Sequence, residues 1–193
     1  FLAKLKNVNY EAKNTSELYK DDTTSEFFGA VGYLSEIDLY KKTDKGSDQL
    51  LTPKLLLKYA PGHMRKEKNG ARLNQLNVFN LDRLNSYNNF ENGLNATIGF
   101  DYEIKNLDKK LNFSLAQIVN EKENKNMPST TSLDEKLSDL VGQTTIKLND
   151  KVNLNYNFAL DQNYRDLNYN ELGGNLDLNP IKFNFSYLQE KEH

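Results

Sequence analysis

The chain lacks several features by which common protein classes are recognised. It contains no cysteine, so neither a disulfide framework nor a thiolate metal site can form within it. No stretch approaches 18 consecutive apolar residues, which excludes a transmembrane helix. Only 37% of the 193 residues are apolar, and mean hydropathy is −0.76. A conventional globular interior would therefore be thin.

Charge and motif content exclude further classes. The net charge is −2 with Lys and Glu interspersed, so nucleic acid is not an expected partner. The chain has no phosphate loop, dinucleotide fingerprint or Gly-Xaa-Ser-Xaa-Gly elbow. His63 and His193 have no spaced carboxylates that would complete a zinc site. We therefore expect no enzymatic activity, no cofactor and no bound metal.

Apolar and polar side chains alternate along residues 151–161. Successive side chains of a strand point to opposite faces, and this alternation is long enough for a tilted strand to cross a bilayer. The pattern predicts one face toward lipid and one toward a polar lumen. The predicted lipid-facing residues are Val152, Leu154, Tyr156 and Phe158, and the predicted lumen-facing residues are Asn153, Asn155 and Asn157.

Alternation and turn residues together predict nine strands. They lie at 1–13, 25–41, 51–61, 91–105, 110–122, 139–149, 151–162, 166–179 and 181–190. The last strand adds Ile181, Phe183 and Phe185 to the lipid-facing set. The strand before it adds Asn175 to the lumen-facing set, with Asn168 and Asn170. An Asn-lined interior offers hydrogen-bond donors and acceptors without fixed charge, which suits sugars, although AT-rich genomes also enrich Asn at tolerant positions.

The connections between these strands tend to alternate in length. Long polar stretches at 14–24, 62–90 and 123–138 alternate with shorter turns at 42–50, 106–109 and 150. In outer-membrane barrels the long loops are extracellular and the short turns periplasmic. The predicted fold is therefore all-β, an antiparallel transmembrane β-barrel segment. Because such barrels usually have an even strand number, and the chain starts without Met inside a strand pattern, we expect residues 1–193 to be part of a larger barrel domain.

From Leu51 onward the sequence resembles the C-terminal barrel region of the lipopolysaccharide-assembly protein family LptD, also called organic solvent tolerance protein, in its alphaproteobacterial branch. The resemblance lies in several short segments and in their order. They are Thr52–Leu55 followed by Tyr59–Pro61, Asn77–Asn85, Glu91–Gly93, Leu115–Gln117, and Ser138–Gly142 with Leu160–Asp161 and Asn170–Glu171 downstream. The sequence departs from the family pattern at Ala116, where Gly is usual, and at Asp82–Leu84, where Asn-Arg-Phe is usual. The family's periplasmic jelly roll, first strands and cysteine pair have no counterpart.

The resemblance implies a non-enzymatic translocon in the cell outer membrane. In that family, sugars of lipopolysaccharide pass through a polar lumen and lipid A leaves sideways into the outer leaflet. The partners that it implies are lipopolysaccharide, the plug lipoprotein LptE, the periplasmic Lpt bridge and outer-membrane lipid. Two alternatives stay open: a general porin or ligand-specific outer-membrane channel, and a soluble adhesin or β-sandwich whose apolar faces pack on one another.

Overall fold

The computed structural model describes residues 1–13, 22–43, 46–84 and 86–191. These residues form one antiparallel sheet of ten strands. Its order is β1-β2-β4-β5-β6-β7-β8-β9-β10, and the short β3 pairs with β4 beyond the end of β2. The strands are β1 Leu2–Ala12, β2 Asp22–Glu36, β3 Leu39–Lys42, β4 Asp48–Ala60, β5 Gly93–Asn106, β6 Lys109–Asn120, β7 Leu140–Asn149, β8 Val152–Leu160, β9 Leu167–Leu178 and β10 Ile181–Glu190. One 3-10 helix, Ser129–Thr131, lies between β6 and β7.

The predicted strands agree closely with the observed ones, except for one segment. Residues 25–41 were predicted as a single strand, and this was wrong, because the chain forms β2 and β3 with a break at residues 37–38. Pro53 of β4 lies opposite that break and accepts a hydrogen bond from the Ile37 N–H. Pro53 has no N–H to return to the partner strand, so the ladder is interrupted there. Ten strands are therefore observed where nine were expected.

The two longest connections lie at one end of the sheet, as predicted, but the short 161–166 connection at the same end departs from the alternation. The 61–92 and 121–139 connections leave the same end of the sheet, and the turns at 107–108, 150–151 and 179–180 lie at the other end. The predicted 14–24 connection falls mostly outside the described residues, as do residues 44–45 of the 42–50 connection, and His193. Among the residues that are described, no helix is both long and apolar enough to cross a membrane.

Residues 61–84 and 86–92, here called the cover segment, pack on one face of the sheet. We call this the covered face and the opposite one the open face. Two apolar clusters join the cover segment to the covered face. One lies over β6 to β8 and contains Met64, Leu73, Val78, Leu84, Ala116, Ile118, Met127, Leu133, Val141 and Ala159. The other lies over β2 and β4 and contains Phe28, Ala30, Leu56, Ala60, Leu81 and Phe90.

β1 and β10 are the two edges of the sheet, and no pairing joins them in the described part of the chain. Every residue of β10 is exposed. An edge of this length presents unpaired backbone N–H and C=O groups to its surroundings. The sheet as described is thus an open one with two free edges.

Candidate functional site

The alternation of β8 separates its Asn residues from its large apolar residues, as predicted. Asn153, Asn155 and Asn157 are on the covered face with Ala159, which is buried in the core, and Asn175 is paired with Asn153. A Cβ added to Gly173 would lie 2.5 Å from the Asn155 amide oxygen, so position 173 of β9 is on the same face as Asn155. These four amides form a polar lining across two neighbouring strands.

The predicted lipid-facing residues share the open face. The register places Phe183 across from Leu176 and Leu176 across from Val152. A Cβ added to Gly174 would contact both Leu154 and Phe185, so these residues also share that face. By alternation the face includes all of the predicted set, namely Val152, Leu154, Tyr156, Phe158, Ile181, Phe183 and Phe185.

Two other Asn residues of β9 do not add to this polar lining, and the prediction was wrong for Asn170. Asn170 is paired with Phe158 and Gln189, which places it on the open face. Asn168 is buried and donates to the Asp139 carboxylate at 3.1 and 3.2 Å. The ladder between β8 and β9 shifts register near Leu160, beside Asn168. Asn170 and Asn175 lie in the regular part of β9, five positions apart, and therefore face opposite ways.

A buried ion network holds the cover segment to β4. The Glu91 carboxylate accepts hydrogen bonds from the Arg83 guanidinium, with Arg83 Nε at 2.8 Å, and from the Arg83 backbone N–H. The Lys58 ammonium lies 2.8 Å from Glu91 Oε1. The side chains of Lys58 and Arg83 are fully buried and that of Glu91 is 4% exposed. One carboxylate therefore neutralises much of the charge of two buried cations.

These cations determine the ionisation of Glu91. Burial alone raises the pKa of the Glu91 carboxyl, but the charges and hydrogen bonds of Arg83 and Lys58 outweigh it and lower the pKa from 4.5 to about 2. Glu91 is thus ionised at neutral pH. The negative charge of Glu91 is stabilised by Arg83 and Lys58, and Glu91 in turn compensates their buried positive charges.

A second contact holds the cover segment to β1. The buried Asp82 carboxylate lies 3.3 Å from the Lys4 ammonium and 3.2 Å from the Lys6 ammonium. Lys6 also donates to the backbone carbonyls of Ser86 and Asn89. Both ammonium groups lie within 6 Å of the Phe90 ring centroid, a favourable cation–π distance. Ion pairs and hydrogen bonds therefore attach the edge strand β1 to the cover segment.

At the opposite edge of the sheet, the cover segment contacts β10. Arg72 donates from Nε and Nη2 to Glu190 Oε1 at 2.9 and 2.8 Å. The Glu190 side chain is 49% exposed, so solvent weakens this ion pair relative to the buried ones. A single segment therefore contacts both edge strands of the sheet, β1 and β10.

Toward the end of the sheet with the short turns, the covered face carries an open polar groove of about 340 Å³. Its polar lining comes from β4 to β7 and comprises Thr52, Asp101, Glu103, Asn112, Ser114, Gln143 and Thr145. Amides, hydroxyls and carboxylates at this density can exchange hydrogen bonds with a hydroxyl-rich ligand. In the described residues no group of His, Asp and Glu side chains is arranged to hold a metal ion.

Sequence reasoning missed the cover segment as a structural element. Residues 62–90 were expected only as a long polar loop, whereas Leu73, Val78, Leu81 and Phe90 are buried against the sheet. The signal that was available is the recurrence of apolar residues in this stretch, which is unnecessary in a purely solvated loop.

The sequence matches a protein family along nearly its whole length. The family model described as LPS transport system D, LptD, matches residues 2–193. The chain belongs to the LptD family. LptD is an outer-membrane protein family of lipopolysaccharide transport and not an enzyme family. No curated protein matches the chain. The antiparallel all-β fold, with an apolar open face and a covered face that is polar at its groove end, is consistent with membership of LptD.

Proposed function

We propose that this LptD chain is part of the wall of an outer-membrane β-barrel that inserts lipopolysaccharide into the outer leaflet. The observation that carries the proposal is the opposite chemistry of the two faces of one sheet. On the open face large apolar side chains are half exposed or more, among them Phe27, Val31, Ile98, Phe183, Phe185 and Tyr187. A soluble monomer rarely exposes so many in one surface, whereas lipid covers them without cost.

The covered face has the chemistry of a barrel lumen. It carries Asn153, Asn155, Asn157 and Asn175 beside the polar groove, and these groups can bind the sugars of lipopolysaccharide. A β-sandwich interior would need apolar residues along this whole face. The cover segment supplies apolar contacts at one end only, so the groove end would stay wet.

The free edges of β1 and β10 indicate how the wall is completed. Within a membrane an unpaired strand edge is strongly unfavourable, because the hydrocarbon supplies no hydrogen-bond partners. Further strands of the same protein would pair with both edges, and the chain would then be one part of a larger LptD barrel. By its sequence resemblance this part belongs to the C-terminal region of the alphaproteobacterial type, with LptE and the periplasmic Lpt bridge as partners.

The lipopolysaccharide role is tested by depleting the protein from cells and restoring it from a plasmid. Depletion should reduce surface lipopolysaccharide and increase sensitivity to large hydrophobic antibiotics, and restoration should reverse both effects. Surface lipopolysaccharide is measured by antibody binding to intact cells. A small-solute uptake assay run in parallel is the control. Unchanged surface lipopolysaccharide with abolished solute uptake would support a porin or ligand-specific channel instead.

The orientation of the sheet gives a separate prediction. Asn69 and Lys125 are exposed in connections at one end of the sheet, and Asp108 and Asp150 are exposed in turns at the other. Because long barrel loops are extracellular, Asn69→Cys and Lys125→Cys should react with an impermeant thiol reagent on intact cells. Asp108→Cys and Asp150→Cys should react only after the outer membrane is opened. Labelling of the last two on intact cells would invert the orientation.

A further inference from the structure

A second pocket lies beneath residues 71–76 of the cover segment. Its volume is about 240 Å³, and β7, β8 and β9 form its floor with Gln143, Asn157, Tyr169 and Glu171. The roof adds carbon atoms from Leu73 and Leu76, and the floor adds the Tyr169 ring. Pockets that combine an aromatic or aliphatic surface with a few placed polar groups are typical of small-ligand sites.

The polar groups of the floor are held in place and keep free hydrogen-bonding capacity. Glu171 Oε2 accepts from Asn157 Nδ2 at 3.0 Å and from the Tyr169 hydroxyl at 2.9 Å. These two bonds orient the carboxylate and leave Oε1 able to accept from a ligand hydroxyl. The half-buried Gln143 side chain makes no hydrogen bond to the other described residues, so both ends of its amide are available.

The charges around the pocket select against anionic ligands. Arg72 is the cation of the pocket, and it is already bound to Glu190 and placed over the Tyr169 ring at 5.8 Å. Glu171 is the carboxylate that lines the pocket, and two carboxylates outside the lining, those of Glu190 and Asp139, lie 2.8 and 3.9 Å from the Arg72 guanidinium. A phosphate would meet a net negative environment, whereas an uncharged sugar would not.

Gln143 also lines the larger polar groove described above. The pocket and the groove therefore adjoin on the covered face, with the Gln143 amide common to both. A chain of sugar units lying along the groove could place one unit beneath residues 71–76.

We propose that this pocket is a saccharide subsite for uncharged, hydroxyl-rich sugar units, with Gln143 and Glu171 as its hydrogen-bonding residues and Tyr169 as its apolar surface. The proposal rests on the proposed role in lipopolysaccharide insertion, because that role brings a saccharide to the covered face. It adds a defined binding position and a preference for uncharged over phosphorylated units.

The test is direct binding to the full protein folded in a detergent without a sugar head group. A neutral trisaccharide of glucose is titrated and followed by saturation-transfer NMR, with glucose 6-phosphate as the charged comparison. Gln143→Met keeps the side-chain length and removes the amide oxygen and nitrogen that would bond to the sugar. Affinity for the trisaccharide should therefore fall about threefold to tenfold. Gln189→Met on the open face is the matched control and should leave affinity unchanged.

Tyr169→Phe provides a second variant, since it keeps the ring and removes only the hydroxyl that orients Glu171. We expect weaker trisaccharide binding in this variant too. Equal binding by the original protein and both pocket variants, or tighter binding of glucose 6-phosphate, would overturn the subsite. Trisaccharide binding that depends on Gln143, in a protein whose depletion leaves surface lipopolysaccharide unchanged, would support the subsite and contradict the transport role. Loss of surface lipopolysaccharide on depletion, in a protein that does not bind the trisaccharide, would support the transport role and contradict the subsite.

Discussion

Glu91→Gln is expected to destabilise the attachment of the cover segment by about 3–5 kcal/mol, the usual effect of removing one partner from a buried ion pair. The substitution leaves the fully buried Lys58 and Arg83 without their nearest counter-charge. Cleavage of the 61–92 connection by an added protease, in the full protein folded in lipid vesicles, measures the effect. We expect cleavage of Glu91→Gln under conditions in which the original protein resists.

A matched control comes from the 121–139 connection. Glu123 forms an ion pair with Lys125 in which both side chains are more than half exposed, and such pairs contribute little. Glu123→Gln should therefore leave protection unchanged. Equal protection of Glu91→Gln and the original protein would contradict the view that the buried network fastens the cover segment to the sheet.

The same network predicts a pH dependence. The pKa of folded Glu91 is about 2, below its ordinary value of 4.5, so ionised Glu91 stabilises the folded state above about pH 4.5. This stabilisation, about 3 kcal/mol for a shift of this size, is lost as pH falls from about 4.5 toward 2. Protease protection of residues 61–92, probed with an acid-active protease, should fall over that range. In Glu91→Gln the fall should be absent or much smaller.

Leu154→Arg is expected to cost roughly 2–4 kcal/mol of folding stability in lipid, and Asn155→Arg should fold nearly normally. The two residues are neighbours in β8 but lie on opposite faces of the sheet. An arginine at Leu154 would be placed in hydrocarbon if the open face contacts lipid. At Asn155 the long side chain can extend along the wet covered face.

Folding into vesicles, followed by denaturant titration, separates these two variants. Because adjacent side chains point oppositely, the comparison also tests which face meets lipid. Similar losses in both variants would contradict the division into a lipid face and a lumen face. Stable folding of Leu154→Arg together with failure of Asn155→Arg would reverse the assignment of the two faces.

Strand positions and faces were predictable from the sequence because they depend on local periodicity. The alternation of β8 and β10 placed the Asn and apolar residues on opposite faces correctly. The prediction that Asn170 shares a face with Asn175 was wrong by the same periodicity, because the two residues are five positions apart in a regular part of β9. The split between β2 and β3 depends on Pro53 across the sheet, and the burial of Asn168 against Asp139 occurs beside a register shift. Both are properties of strand pairing, which periodicity within one strand does not report.

The cover segment and its contacts were decided only by the tertiary structure. Arg72 and Glu190 are 118 residues apart in the chain, and Lys4 and Asp82 are 78 apart. No local pattern relates such residues, since their proximity follows from strand order and from how the 61–92 connection packs. The apolar residues of that connection signalled burial, but which face they would cover, and that charged residues would be buried with them, required the assembled sheet.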